Sequence, residues 1–137
     1  MTGGSNATYS FLATVEVYCL GTNEWKECAG FNRARNNHIS CTLGNKIYIY
    51  NGFRDNGTIE IANCDDLIEG SGNWQLLSIS NLVLKPMFAP ISSHEILIMD
   101  CQSISIFDTR ESRIENVATD YSGLSCYRNQ AVMSRKG

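Results

Sequence analysis

Short runs of alternating or wholly apolar residues, broken every few positions by Gly, Asn, Asp or Ser, mark most of the chain. Ile47-Tyr48-Ile49-Tyr50 and Ile96-Leu97-Ile98-Met99 are apolar at successive positions, which is how a strand covered on both faces reads. Val15-Glu16-Val17-Tyr18, Thr58-Ile59-Glu60-Ile61 and Ser103-Ile104-Ser105-Ile106-Phe107 alternate or nearly alternate, which suits a strand with two unlike faces. Gly44-Asn45 has the character of a tight hairpin turn, and Asp55-Asn56-Gly57 reads as a loop. No segment keeps a helical period for about a dozen residues, so the pattern predicts very little helix.

The pattern repeats. Asn36 to Gly52 lies in register with Lys85 to Cys101, 49 residues later and without a gap. Trp25 and Trp74 obey the same spacing. Ser93-His94 stands where Gly44-Asn45 stands, with poorer turn chemistry. The three alternating segments join the register when Val15, Thr58 and Ser103 are set as their first residues. Each unit then reads as four short strands. One set covers residues 38–43, 46–51, 58–62 and 73–77, and the next covers 86–91, 95–100, 103–108 and 113–117. A four-stranded unit of this period cannot cover both of its own faces and has to stack on neighbours, so the expected fold is all-β, a radial array of sheets. The two tryptophans are expected to supply large buried area near the sheet edges. The expected division is a partial unit at 1–34, full units at 35–84 and 85–127, and the start of another at 128–137.

Composition narrows the function. Of 137 residues, 43% are hydrophobic, enough for a packed core, so disorder is not expected. Only 18% are charged and the net charge is -3, which argues against the clustered basic face that nucleic acid needs. Apolar runs are far too short for a membrane-spanning helix, and no basic start followed by a long apolar stretch marks a secretory leader. A soluble, cytoplasmic chain is the expectation. The six cysteines (Cys19, Cys28, Cys41, Cys64, Cys101, Cys126) contain no C-x-x-C pair, so they read as small apolar thiols and neither as a zinc site nor as a disulfide set. Asn6-Ala7-Thr8 and Asn56-Gly57-Thr58 match the glycosylation triplet but carry no weight without a leader.

The residues resemble the kelch repeat, one blade of a β-propeller. Arg35, His38, Gly44, Lys46-Ile47-Tyr48-Ile49-Tyr50-Asn51-Gly52 and Trp74 follow the family pattern in order. Gly3-Gly4, Val17-Tyr18 and Thr22-Asn23-Glu24-Trp25 look like the same pattern in a preceding unit. In the later unit Phe107-Asp108-Thr109 keeps a strand end, and Ile114 stands near the tryptophan position. Arg128-Asn129-Gln130-Ala131-Val132-Met133 repeats Arg35-Asn36-Asn37-His38-Ile39-Ser40. The resemblance implies a kelch-type β-propeller segment of about two complete four-stranded blades plus two partial ones. Propellers close with about four to eight blades, so the chain is expected to be a slice of a longer ring, with apolar faces that meet missing blades or self-associate.

The same resemblance implies a non-enzymatic scaffold or adaptor that recognises another protein, of unknown identity, through loops at one mouth. Arg35 and Arg128 precede a first strand, where the family often aims an arginine at the partner. A guanidinium there can grip a carboxylate with two bonds, or it can simply bond loop carbonyls between blades. Phe53, Arg54 and Asp55 lie in the second-to-third-strand loop, another recognition surface in the family, where Phe beside Arg makes a plausible hot spot. Gly3, Gly4, Trp25, His38, Gly44, Tyr48, Gly52 and Trp74 are expected to build the repeat. Asp65, Asp66 and Glu69 lack the alternating oxygen ligands and central glycine of a calcium loop and read as an acidic surface cluster. Ser122 and Ser125 have no partnered histidine, and His94 reads as solvated. No catalytic residue, metal or cofactor is expected. Two other readings remain open: part of a propeller enzyme similar to sugar-acid isomerases or copper oxidases, and a truncated product without activity of its own.

Overall fold

A computed structural model describes residues 2–52, 57–79, 87–99 and 103–119. The elements run β1 (Val15–Cys19), β2 (Glu24–Cys28), β3 (Ile39–Leu43), β4 (Lys46–Tyr50), β5 (Thr58–Asn63), α1 (Cys64–Glu69), β6 (Gln75–Ser78), β7 (Met87–Pro90), β8 (Glu95–Met99), β9 (Ser103–Asp108) and β10 (Arg113–Thr119). They form an antiparallel pair β1-β2 and two antiparallel four-stranded sheets, β3-β4-β5-β6 and β7-β8-β9-β10, each in simple up-and-down order. The protein is all-β, with the stacked four-stranded sheets of a kelch-type propeller segment.

The middle sheet is covered on both sides, as its continuous apolar second strand requires. Alternation along β4 sends Tyr48 and Tyr50 to one face and Ile47 and Ile49 to the other. The β4-β5 register sets Tyr48 opposite Ile61 and Tyr50 opposite Ile59, so these four share a face. They pack against Ile96, Ile98 and Phe107 of the third sheet. All seven are buried. Burial of a side chain of this size stabilises by roughly 1.5–3 kcal/mol. Tyr50 stacks on Phe88 with centroids 5.5 Å apart, and Tyr48 meets Phe107 edge-on at 6.2 Å. On the opposite face Ile49, Ala62, Leu67 and Trp74 pack against Val15, Cys28 and Phe31 at and just beyond the β1-β2 pair.

Local chemistry sets the turns. Gly44, with φ 59°, opens the two-residue link between β3 and β4, where a left-handed residue matches the twist of the strands. The third-to-fourth-strand connection holds a feature that the periodicity did not predict, the one-and-a-half-turn helix α1. Asn63 caps it by accepting from the backbone N–H of Asp65 and Asp66, and Gly70 ends it at φ 85°. Six residues are too few to show a period, so only the cap residues signalled it. Asp65, Asp66 and Glu69 are exposed on it.

Two details of the repeat need correction. The third strands align one residue differently from the expected register. Trp25 pairs with Tyr18 in β1-β2, and the β5-β6 ladder, extended by one residue, sets Trp74 opposite Ala62. Glu16 therefore corresponds to Glu60, and Val15 and Val17 to Ile59 and Ile61. That shift puts the valines on the face that meets the middle sheet, where burial favours them. The second correction concerns Trp25, which is 60% exposed where buried area was expected, against 7% for Trp74. Trp74 has the 29–31 segment of the preceding sheet to lie on, and no described residue covers Trp25 in that way.

Candidate functional site

The links at one end of the sheets converge. The chain from β2 to β3 passes residues 29–38 across the end of the middle sheet, beside Asn51-Gly52 and beside Gly3-Gly4. The Gly4 N–H donates to the Arg35 carbonyl at 2.9 Å, and the Asn51 N–H to the Thr58 carbonyl at 3.1 Å. Gly3-Gly4 and Asn51-Gly52 adopt matching left-handed pairs, φ 57° and 115° against 60° and 134°. The doublet is thus one conformational device used twice. Its second position needs a φ that L side chains rarely adopt. A Cβ at Gly3 would stand 2.5 Å from the Arg35 carbonyl oxygen, and a Cβ at Gly52 would crowd Arg35 and Asn36.

Arg35 sits at the centre of this arrangement and is fully buried. Its guanidinium pairs with the equally buried Glu60 carboxylate on β5. It also donates to the Asn51 carbonyl at 2.8 Å and the Arg33 carbonyl at 3.3 Å, and to Thr58 Oγ1 at 3.3 Å. The group lies 5.7 Å from the centroid of the Phe31 ring, a cation–π distance. Glu60 in turn accepts from the Asn32 N–H at 2.7 Å, Asn32 Nδ2 at 3.1 Å and the Arg33 N–H at 3.2 Å. Asn32 Nδ2 also reaches the Trp74 carbonyl at 2.7 Å, and Trp74 Nε1 donates to the Ala29 carbonyl at 2.7 Å. The result is a clasp that fastens the 29–35 link to β5 and β6. Arg35 was expected as a partner-facing grip. Its hydrogen-bonding capacity is committed inside the fold, so that expectation gives way to the structural role.

His38 lies beside the clasp. Its Nε2 is 2.8 Å from Thr2 Oγ1, and its ring meets Phe31 edge-on at 5.6 Å. Burial, and then the Arg35 charge, hold its pKa below the ordinary 6.5. Elsewhere burial pushes the Cys41 thiol up to about 11. Cys19, Cys28, Cys41 and Cys64 are free thiols.

The exposed part of this end is a loop that the sequence pattern passed over. Residues 5–13 join the Gly3-Gly4 doublet to β1 and so correspond to the connection after Asn51-Gly52. The stretch from Gly4 to Glu16 is four residues longer than that from Gly52 to Glu60. Asn6 Oδ1 organises the loop, accepting from the Thr8 N–H at 3.0 Å, Thr8 Oγ1 at 2.7 Å and the Ser10 N–H at 3.0 Å. The Leu12 N–H closes its base on the Gly4 carbonyl at 2.9 Å. Tyr9 stands at its tip with φ 57° and 87% of its surface exposed. The signal was in the sequence: Asn6-x-Thr8 is an Asx-turn pattern as well as a glycosylation triplet. Glu60 and Asn32 were also missed. The lone acid in the otherwise apolar run Ile59 to Ala62 was the available clue to the first. Phe53, Arg54, Asp55 and Arg128 lie outside the described residues.

Among the described residues no helix is long and apolar enough to cross a membrane. Residues 2–32 match the family model described as Kelch motif. The match spans the Gly3-Gly4 doublet, the β1-β2 pair and Trp25, one unit earlier than the segment with the fullest set of pattern residues. No curated protein matches the chain. The motif is in general a protein-interaction module. The first unit thus carries a kelch motif, and the four-stranded antiparallel sheets stacked after it are consistent with further units of a kelch-type propeller.

Proposed function

We propose that the chain is a non-enzymatic scaffold that binds another protein through the end of the sheets carrying the 5–13 loop, the 29–38 link and the 51–57 loop. The observation that carries this reading is the division of labour at that end. The buried Arg35–Glu60 clasp holds the base rigid, and an ordered loop above it presents Tyr9 almost fully to solvent. A large amphipathic side chain on a pre-organised loop is the kind of group that dominates binding energy, because little ordering entropy is lost on contact. Phe53, Arg54 and Asp55 belong to the corresponding loop of the next unit and are proposed as its second contact. Arg128 is proposed as a contact at a further junction. Adaptor work in the cytoplasm is the setting this reading favours.

A photo-reactive phenylalanine analogue in place of Tyr9, compared with one in place of Ile68 on α1 near the opposite ends of the strands, tests this directly. The expected result is a discrete cross-linked partner from position 9 and none from position 68. Equal cross-linking from both positions, or from 68 alone, overturns the assignment.

A further inference from the structure

The sheet edges are not alike. The first strands β3 and β7 lie against each other, and the free side of β1 is met by the Thr2–Val15 bridge. The strands left at the rim are β2, β6 and β10, each with a described strand on one side only. An open strand edge invites pairing with another chain, and proteins commonly guard it with lysine and other charges, with proline or with a bulge. β2 carries Glu24, Lys26 and Glu27, all exposed. β10 carries exposed Arg113 and Glu115, and its register slips between Asn116 and Ala118. β6 reads Gln75-Leu76-Leu77-Ser78, with no charge, no proline and an unbroken register.

The phase of the ladder says which groups of β6 are open. The Ile79 N–H donates to the Gly57 carbonyl at 2.7 Å, which continues the β5-β6 register by one pair. In an antiparallel ladder, residues that exchange bonds alternate with residues that do not. Gln75, Leu77 and Ile79 therefore turn their peptide groups toward β5, and Leu76 and Ser78 turn theirs outward. Among the described residues no hydrogen bond reaches those outward groups.

We propose that the outer edge of β6 is a docking edge for β6 of a second copy of this chain, paired antiparallel about a two-fold axis at Leu77. The phase suits such a pair. With Leu77 on the axis, Leu76 stands opposite Ser78 of the partner copy on either side of it, and their outward groups exchange four N–H to carbonyl bonds in all. Leu77 meets its own copy at a non-bonded position, where side chains come closest. The occupant is argued from charge. Two-fold pairing sets the middle of a strand against itself, and like charges directly opposite each other destabilise a ladder. The middle residue of β2 is Lys26, which would meet a lysine, and β10 is out of register at its middle. Leu77 meets a leucine. It lies opposite Ile59 and packs on the cluster of Tyr48, Tyr50 and Ile59, so the contact carries that apolar surface across the axis. The same edge serves both copies, and the pairing closes at two. The inference does not rest on the partner-binding loops, which project from the ends of the strands, whereas the β6 edge runs along their side.

Sedimentation velocity of the 137-residue chain across a concentration series tests it, together with amide hydrogen exchange resolved to single residues. A monomer–dimer equilibrium is expected. The Leu76 and Ser78 amides are expected to exchange freely in dilute samples and to gain at least ~10-fold protection as the dimer forms. The Leu77 and Ile79 amides, bonded to β5, are expected to stay protected throughout. Ser78→Pro removes an outward N–H and leaves the β5-β6 ladder whole, and Ser78→Lys gives β6 the kind of guard that β2 has. Each is expected to weaken association by ~30-fold or more. Ser78 is exposed, so an unchanged far-ultraviolet circular dichroism spectrum is expected. If Ser78→Pro fails to fold, Ser78→Lys carries the test. A chain that is monomeric at every concentration overturns the proposal. So does a dimer in which the Leu76 and Ser78 amides gain no protection, or one that folded Ser78 variants leave intact. Protection of these amides that comes only with a different protein overturns it as well.

Discussion

The two faces of the middle sheet are held by different physics. The face carrying Tyr48, Tyr50, Ile59 and Ile61 meets Ile96, Ile98 and Phe107 in an apolar and aromatic cluster with no buried ion pair among its members. The opposite face sets Ile49, Ala62 and Trp74 beside a buried ion pair whose carboxylate accepts four hydrogen bonds. Non-directional attraction lets neighbouring sheets slide with modest loss. A buried charge tolerates one geometry, because any other leaves it desolvated and unpaired. The apolar face therefore supplies cohesion. The clasp fixes where the β2-β3 link lies, and with it the end of the molecule proposed to meet a partner.

The comparison breaks most sharply at Glu60. Glu60→Ala leaves the Arg35 guanidinium buried without its anion, and a loss of about 3–5 kcal/mol is expected in urea unfolding. A loss below about 1 kcal/mol would mean that water reaches the pair and that the clasp is ornamental. On the apolar face, Ile98→Ala is expected to cost about 2–5 kcal/mol, toward the lower end if the tyrosines can close over the cavity. The same measurement checks it.

How far the sequence led also differs between the two faces. Strand positions, their grouping in fours and the two-sided burial of β4 were legible, because alternation and a repeat of 49 residues leave few other arrangements for Ile47 to Tyr50 and Ile96 to Met99. The clasp was not. A lone Glu in an apolar strand and an Arg in a loop declare no partnership until the fold brings residues 35 and 60 together, and Arg35 read equally well as a surface grip. The one-residue shift that matches Glu16 with Glu60 was hidden as well, since Val15 to Tyr18 alternates plausibly in either register. It took the pairing of Trp25 with Tyr18 to settle it. Helix α1 was hidden for another reason, that six residues carry no period.

The tryptophans sharpen the comparison at smaller scale. Trp74→Phe keeps an aromatic ring but loses part of the indole's buried area, removes the Nε1 bond and leaves the Ala29 carbonyl unsatisfied, for about 1–3 kcal/mol. Trp25→Phe is expected to fall within about 0.5 kcal/mol in the dissociated chain, as exposed sites do. Equal effects in chemical unfolding would show that the two are not in different environments.

The smallest expected effect is on pH dependence. The His38 pKa is lowered in the fold by burial and by Arg35. Below about pH 6.5 the unfolded chain then binds a proton that the folded chain resists. This contribution is full above that pH and is lost as the pH falls. His38→Gln is expected to flatten part of the decline in stability between about pH 7 and pH 5. An unchanged decline would place the acid sensitivity elsewhere.

The claim that one face is fastened by a specific pair and the other by area is tested most directly by a double-mutant cycle on the clasp. Arg35→Met, Glu60→Leu and the double variant are compared by unfolding free energy. The account predicts that each single change costs several kcal/mol, and that the double costs less than their sum by about 1–3 kcal/mol, because removing both charges leaves none stranded. Costs that add to within about 0.5 kcal/mol would show that Arg35 and Glu60 act independently, and would contradict it.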